Sequence, residues 1–223
     1  KDFFVYFRPK DNVSGDFFWL ETIKDKVWFA VADCTGHGVP GAFMSVVGNN
    51  ALKQAIASGL EKPGDILDYA NDYVINTVHD KDNEMAITDG MDISLCLYDK
   101  ASQMLYFSGA NNPLYIIRDG KLQELKSDRQ PIGYFVEEMR VPFTTHEFKL
   151  EKGDMIYLFT DGFPDQFGGP RNRKFKYKPF REMFTSIEKS EMSVQENTLD
   201  ARFQEWKGEN EQIDDVCIMG VRI

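Results

Sequence analysis

The spacing of apolar residues changes several times along this chain, and the order of those changes limits the folds available to it. Short apolar runs bounded by turn residues, which are typical of buried strands, occupy residues 3–32 and return after residue 91. Apolar residues at helical spacing fill segments 40–58 and 63–79 and two segments before a final strand. Because strands and helices do not alternate singly, the order indicates antiparallel sheets packed with helices, in the α+β class.

Several of the predicted strands begin or end at an aspartate. Carboxylates at strand ends can converge on one rim of a sheet, although like charges repel and burying each of them costs free energy. A bound divalent cation offsets that cost, and Mg²⁺ or Mn²⁺ prefers oxygen ligands. The pattern therefore predicts a metal site. The residues concerned are Asp16, Asp33, Asp161 and the adjacent pair Asp214 and Asp215.

A single Asp-Gly pair after a strand is usually only a turn, so each aspartate taken alone has a simpler interpretation. We interpret Asp119–Gly120 in this way, as the turn of a hairpin. His37, between two glycines, is interpreted as a loop residue. The metal site is inferred from the joint pattern and not from any one residue.

Charge and composition exclude some classes of partner. The 26 basic and 36 acidic residues give a net charge of −10, which argues against binding of nucleic acid or an anionic membrane surface. Cys34, Cys96 and Cys217 are too few and too widely spaced for a disulfide framework or a zinc motif. No apolar stretch approaches the roughly 20 residues of a membrane span. We expect a cytoplasmic protein, or the cytoplasmic part of a membrane-anchored one.

Carboxylates that share two divalent ions about 3.5–4 Å apart can activate a bridging water for attack on a phosphoryl group. This chemistry needs no protein nucleophile, and the chain offers no obvious one. Cys217 and Arg222 miss the Cys-x5-Arg spacing by one residue, and no Gly-x-Ser-x-Gly turn occurs. The residues therefore favour metal-dependent hydrolysis of phosphate esters.

Five segments in order resemble the SpoIIE-type phosphatase domain, the bacterial branch of the metal-dependent serine/threonine protein phosphatases of the PPM superfamily. The resemblance covers nearly the whole chain, and the segment around His37 is the most specific part. The matching segments are 14–17, 31–45, 107–113, 153–162 and 214–216.

The resemblance implies that residues 1–223 form a single domain, an αββα sandwich of two antiparallel sheets flanked by helices. It implies that two Mn²⁺ or Mg²⁺ ions are held by four carboxylates and by the backbone carbonyl of Cys34, where the family usually has glycine. Asp215 is the alternative to Asp214, and we prefer Asp214 because it aligns with the first residue of the family's acidic pair. The four carboxylates are those of Asp16, Asp33, Asp161 and Asp214.

The resemblance also implies partners. The expected substrate is phosphoserine or phosphothreonine on a regulatory protein, an anti-sigma-factor antagonist in this branch of the family. Because the chain begins at Lys1, we expect it to be the C-terminal output domain of a longer protein with an upstream sensor domain. Self-association into a homodimer is left open. Asn112 stands near the position where distant relatives carry an aspartate for a third ion, which weakens the case for one here.

Two further features have both a functional and an ordinary interpretation. Arg8 is a candidate for contact with the substrate phosphate, but its spacing from Asp16 does not match distant relatives, and an ordinary surface arginine is the simpler reading. Segment 163–178 is rich in Gly, Pro, Lys and Arg and is expected to be a mobile loop. It is either a docking element for an acidic phosphoprotein or a solvated loop.

Two competing hypotheses follow from the same residues. The first is a catalytically weak or silent phosphoprotein-binding module on the same scaffold, which is disfavoured because all four acidic positions are present. The second is another two-metal phosphohydrolase such as a nuclease, which is disfavoured by the net charge of −10.

Overall fold

The computed structural model describes residues 2–78, 89–133 and 140–223. Within these ranges the chain forms two antiparallel sheets that face each other, with helices on both outer surfaces. The α+β class and the αββα sandwich are therefore confirmed.

Sheet 1 has five strands, and the last strand in the sequence lies inside it, next to the first. Numbered in chain order, its strands lie side by side as β1 (Phe3–Arg8), β13 (Val216–Arg222), β10 (Met155–Phe159), β6 (Leu114–Arg118) and β7 (Lys121–Leu125). Sheet 2 runs in the order β2 (Phe17–Ile23), β3 (Lys26–Cys34), β4 (Gly90–Asp99), β5 (Met104–Ala110) and β9 (His146–Lys149), with the short β8 (Ile132–Gly133) paired to β4.

Two long helices cover each sheet. Sheet 2 is covered by α1 (Gly38–Ala57) and α2 (Pro63–Val78), and sheet 1 by α4 (Tyr177–Ile187) and α5 (Met192–Lys207). A short helix α3 (Gly162–Asp165) and a small hairpin of β11 (Phe167–Gly168) and β12 (Arg173–Lys174) connect β10 to α4. None of the helices in these ranges combines the length and the apolar character needed to cross a membrane.

The core has three apolar layers, one between the sheets and one under each pair of helices. Strand β3 shows why the sequence produces them. Phe29 and Val31 pack between the sheets, whereas Trp28 and Ala30 on the opposite face pack under α1 and α2. A strand that is buried on both faces reads as a continuous apolar run rather than an alternating one, which is the pattern of residues 27–32.

Part of the apolar stripe expected on α1 is exposed. Phe43 is 63% exposed and Val46 58% exposed, whereas Val47, Ala51 and Ala55 are buried against sheet 2. Steps of four residues exceed the helical repeat of 3.6, so each step turns the stripe by about 40° around the helix. A stripe that starts at Phe43 therefore begins in solvent and turns towards the sheet by Val47.

Two other expectations need correction. Segment 163–178 is not an open loop, because it contains α3, the β11–β12 hairpin and the start of α4. Asn172 closes that hairpin with a φ of 46°, a conformation that asparagine tolerates better than most residues. The sequence pattern of residues 141–150 also predicts a strand, and the structure forms one only over His146–Lys149, which is β9. The helix expected to end near His79 is described as far as Val78, and His79 lies outside the described residues.

Candidate active site

The topology brings the four predicted ligands to one end of the sandwich. In sheet 2, Asp16 precedes β2 and Asp33 lies near the end of the antiparallel strand β3, so both are at the same rim. In sheet 1, Asp161 follows β10 and Asp214 precedes the antiparallel strand β13, so these two also share a rim. The charges of Asp16 and Asp33 both interact with Asp214, which places the two rims side by side.

Gly162 allows the Asp161 and Asp214 segments to meet. A Cβ atom at Gly162 would lie 1.9 Å from the carbonyl oxygen of Asp215, a distance that no side chain can accommodate. The Asp-Gly sequence here is therefore not only a turn, because glycine is needed for two acid-bearing segments to touch.

A second close approach surrounds Asp16. A Cβ at Gly15 would lie 2.5 Å from the carbonyl oxygen of Gly36 and 3.1 Å from that of Cys34. The Cys34 carbonyl thus faces the segment that carries Asp16, and Cys34 itself has extended backbone that does not require glycine. The position suits the predicted carbonyl ligand, and its role in metal binding stays a prediction.

The cysteine thiols are packed groups. Cys34, Cys96 and Cys217 are all free and buried. Burial raises the pKa of each thiol well above its usual value, and neighbouring aspartates add to the effect at Cys34 and Cys217. Neutral buried thiols are poor nucleophiles, so none of these three thiols is suited to nucleophilic catalysis.

Asp16 is the most deeply buried of the four acids, with 4% of its surface exposed. Burial, and after it the charge of Asp33, raise its pKa to about 9, although a hydrogen bond from Thr160 acts to lower it. Thr160 Oγ1 donates that bond to Asp16 Oδ2 over 2.6 Å. A carboxyl in this setting holds its proton at neutral pH unless a cation replaces it.

Asp33 and Asp161 resemble Asp16, because burial and neighbouring negative charges also disfavour their ionised forms. Burial raises the pKa of Asp33 to about 8, with further contributions from the charges of Asp161 and Asp214. Burial also raises the pKa of Asp161 to about 6, and Lys174 is the cation that opposes this rise. Each carboxylate is therefore costly to ionise partly because of the others.

Asp92 is a fifth acid in this cluster that the sequence did not reveal. It lies on β4 directly opposite Asp33, and its Oδ1 accepts a hydrogen bond from Asn111 Nδ2 at 2.8 Å. Burial raises its pKa, and its charge raises the pKa of both Asp33 and Asp161. Strands β3 and β4 are separated in the sequence by the two helices α1 and α2. No local sequence pattern therefore indicates that Asp92 pairs with Asp33.

Asp214 and Asp215 have different environments. Asp215 is buried, and both of its carboxylate oxygens accept backbone N–H groups, from Lys10 at 2.7 Å and from Gly15 at 2.8 Å. Asp214 is only partly buried, and its charge raises the pKa of the other three acids. Asp215 thus fixes the loop that leads to Asp16, which leaves Asp214 as the better candidate ligand.

The different environments of Asp214 and Asp215 lead to a prediction for a matched pair of variants. Asp215→Asn places an amide group against one of two backbone donors, so we expect it to lower the free energy of unfolding by about 1–3 kcal/mol. Asp214→Asn keeps an oxygen for its bond from the Asp215 amide, so its effect should stay within about 0.5 kcal/mol. Urea denaturation of the metal-free proteins measures both. Equal losses in the two variants would contradict this difference in environment.

The acids lie in the same region, but their side chains do not form a complete coordination sphere. Within the described ranges, no three His, Cys, Asp or Glu side chains already stand close enough to enclose an ion. The donor set nevertheless suits Mg²⁺ or Mn²⁺, because it consists of carboxylate oxygens with a backbone carbonyl nearby.

Arg8 is engaged away from the acid cluster. Its Nη1 lies 3.1 Å from Asp200 on α5, its Nε donates to Gln212 Oε1 at 3.1 Å, and its guanidinium stacks over Phe203. These partners suit the simpler reading of Arg8 as a structural surface residue. Contact with a substrate phosphate, which stays a prediction, would require it to leave them.

The basic hairpin β11–β12 stands next to Asp161. Lys174 Nζ lies 2.7 Å from Asp165 on α3, and the Lys176 amide donates to the Pro164 carbonyl at 2.7 Å. Arg171 and Arg173 are exposed, and within the described part of the chain neither forms an ion pair. The hairpin thus places free positive charge beside an acidic cluster.

Comparison with known proteins gives consistent matches. The family model described as Stage II sporulation protein E (SpoIIE) matches residues 23–223. Phosphoserine phosphatase RsbU of Bacillus subtilis (strain 168) is 30% identical over 156 residues, which are 69% of this chain and 44% of that protein.

Solved structures agree with the sequence match. The SiaA-PP2C domain of Pseudomonas aeruginosa is 32% identical, with a TM-score of 0.90 over 100% of this chain and 86% of that one. The PP2C phosphatase domain of SpoIIE from Bacillus subtilis, solved with a fragment of its regulatory domain, is 18% identical. Its TM-score of 0.77, over 100% of this chain and 63% of that one, shows a shared fold.

The two facing sheets with acids at one rim define a protein-phosphatase domain of the PP2C, or PPM, class. Within that class the chain belongs to the SpoIIE family. It spans 44% of the length of RsbU.

Proposed function

We propose that this domain hydrolyses phosphoserine or phosphothreonine on a regulatory protein, with two Mn²⁺ or Mg²⁺ ions held at the rim of the sandwich. The observation that carries the proposal is the cluster of buried acids contributed by both sheets. Burial and mutual repulsion raise the pKa of Asp16, Asp33 and Asp161 together. The cluster of acids does not stabilise the fold, but it favours the binding of cations.

The residues that would hold the ions are Asp16, Asp33, Asp161 and Asp214, with the Cys34 carbonyl as a backbone ligand. When bound, such ions lower the pKa of a coordinated water and neutralise charge on the phosphoryl group. The protein supplies the positions of the oxygen donors, two from each sheet, and a rim that a phosphorylated side chain can reach. Asp92 is a further acid at the edge of this group.

The activity is tested with p-nitrophenyl phosphate and with phosphoserine peptides in the presence of Mn²⁺. We expect turnover that EDTA abolishes and that added Mn²⁺ restores. Folded protein that binds Mn²⁺ but turns over neither substrate would contradict the proposal and would favour a silent phosphoprotein-binding module.

The proposed substrate is an acidic phosphoprotein of the anti-sigma-factor antagonist kind. Two observations support it: the relationship to RsbU, and the exposed Arg171 and Arg173, which form no ion pair with any described residue and lie on the hairpin whose Lys174 acts on Asp161. In a chain of net charge −10 these residues offer a local attractive field for an acidic partner. An upstream sensor domain, a cytoplasmic location and homodimer formation remain part of the same proposal.

A charge-reversal experiment tests the docking role of the hairpin. We expect Arg171→Glu/Arg173→Glu to raise KM for an acidic phosphoprotein at least about fivefold at low salt, with a smaller effect at high salt. KM for p-nitrophenyl phosphate should not change, because that substrate lacks the acidic protein surface that the hairpin would bind. Steady-state kinetics at two ionic strengths measure the difference.

The matched control reverses two exposed lysines at the opposite end of the sandwich. Lys24 lies in the β2–β3 turn and Lys100 follows β4, both far from the rim that carries the acids. Lys24→Glu/Lys100→Glu changes net charge by the same amount and should leave both KM values close to wild type. A similar rise in KM for both substrates, or for both double variants, would refute docking at the hairpin.

A further inference from the structure

Thr160 lies between two of the predicted metal-binding segments and is completely buried. Its hydroxyl oxygen accepts the backbone N–H of Cys217 at 2.9 Å and donates to Asp16 Oδ2 at 2.6 Å. Its own backbone N–H donates to the Cys217 carbonyl at 2.9 Å. The side chain thus joins strand β13 of sheet 1, which carries Cys217, to the acid at the rim of sheet 2.

The direction of the bond to Asp16 follows from counting protons. A hydroxyl has one proton, and among the described residues two acceptors lie within hydrogen-bond reach of it. The Cys217 carbonyl oxygen is 3.4 Å away and already accepts the Thr160 amide, whereas Asp16 Oδ2 is 2.6 Å away. The lone pair facing Cys217 is occupied by its N–H, so the proton is left for Asp16.

This arrangement restricts the way in which Asp16 can bind an ion. One carboxylate oxygen, Oδ2, is fixed by a short hydrogen bond, and Oδ1 remains as the oxygen free of Thr160.

We propose that Thr160 is a positioning residue of the candidate metal centre, whose hydroxyl orients Asp16 so that one oxygen faces the ions. This inference rests on the proposed function. A threonine with no such role would serve only to satisfy the buried Cys217 amide and to fill space in the core. The two roles predict different metal affinities for Thr160 variants that are equally stable.

Thr160→Val removes the hydroxyl and keeps the shape, whereas Thr160→Ser keeps the hydroxyl and removes a methyl group. Binding of Mn²⁺ is measured by the loss of the EPR signal of free Mn²⁺, which does not depend on turnover. We expect Thr160→Val to weaken Mn²⁺ binding about tenfold or more, as loss of an orienting hydrogen bond does at other metal sites. Thr160→Ser should bind Mn²⁺ within about twofold of wild type.

Two controls separate positioning from stability. Ser108→Ala removes another completely buried hydroxyl, one without a hydrogen-bond partner in the described part of the chain, and should leave Mn²⁺ affinity unchanged. In an Asp16→Ala background, Thr160→Val should cause no further loss of affinity, because the side chain it orients is gone. Circular dichroism confirms folding at the temperature of the binding assay, and Thr160→Ala replaces the valine variant if that one does not fold.

The outcomes distinguish this inference from the proposed function. Wild-type protein that binds no Mn²⁺ would overturn both. Wild-type affinity in folded Thr160→Val would overturn the positioning role alone, as would equal losses of affinity in the serine and valine variants. The positioning role would be established by three results together. Thr160→Val weakens Mn²⁺ binding, Thr160→Ser binds Mn²⁺ like the wild type, and Thr160→Val causes no additional loss in the Asp16→Ala background.

Discussion

Asp161→Asn should reduce the kcat of Mn²⁺-dependent hydrolysis of p-nitrophenyl phosphate by about a thousandfold or more, because electrostatic stabilisation by a metal centre contributes several kcal/mol. Asp161 follows the buried strand β10, and its charge interacts with Asp214 and Asp92 at the rim. Replacing the carboxylate with an amide removes one negative ligand while keeping the shape. The fold should survive, because the substitution removes repulsion among the metal-free acids.

Asp119→Asn is the matched control, because both aspartates precede a glycine. Asp119 closes the β6–β7 hairpin with a φ of 51°, a conformation in which asparagine is well tolerated. Its activity and thermal stability should match those of the wild type. Comparable activity of the Asp161 and Asp119 variants at saturating Mn²⁺ would rule out Asp161 as a ligand and would leave the proposed metal centre without support.

The second large effect concerns stability and pH in the metal-free protein. Folding raises the pKa of Asp16 to about 9 and of Asp33 to about 8, so the native state holds protons that the unfolded chain releases near pH 4. A state that binds more protons is favoured at low pH. The contribution of these groups to stability is therefore fully present below pH 4 and is lost progressively as pH rises towards 9.

We expect the melting temperature of the metal-free protein to fall by roughly 6–12 °C between pH 5 and pH 9, which corresponds to a loss of about 3 kcal/mol in a domain of this size. Scanning calorimetry in EDTA measures the change. Saturating Mn²⁺ should reverse the trend, since ions bind the deprotonated acids.

Asp16→Asn supplies the control for this pH dependence. It removes the acid whose pKa is raised most, so the decrease in melting temperature between pH 5 and pH 9 should become smaller. An unchanged decrease in that variant would mean that other groups cause the effect.

The fold was largely predictable from the sequence because its strands are continuous apolar runs with clear ends. Runs such as Leu114–Arg118 and Lys121–Leu125 match strands residue for residue. The β11–β12 hairpin was missed because its strands are only two residues long and polar, so they have no apolar pattern. Its conformation depends instead on backbone bonds to Gln166 and Pro164.

The sequence predicted the residues of the candidate site only where an aspartate stands at a recognisable position in the local pattern. Asp16, Asp33, Asp161 and Asp214 each stand at a strand end next to a turn, and the structure brings them to one rim. Asp92 sits inside a strand, where an aspartate looks like any solvent-facing residue. The separate environments of Asp214 and Asp215 depend on bonds from Lys10 and Gly15, about 200 positions away, which no local pattern records.

The position of β13 has a consequence for biosynthesis. Strand β1 has one neighbour in sheet 1, which is β13, and Phe3 pairs with Val221. A nascent chain that leaves the ribosome therefore exposes β1 without a partner until nearly all of the domain has been made. Such distant pairing slows folding and prolongs the exposure of strand edges to other molecules. Premature termination before residue 214 would release a polypeptide with an unpaired first strand, and truncated products of this kind should depend on chaperones or be degraded.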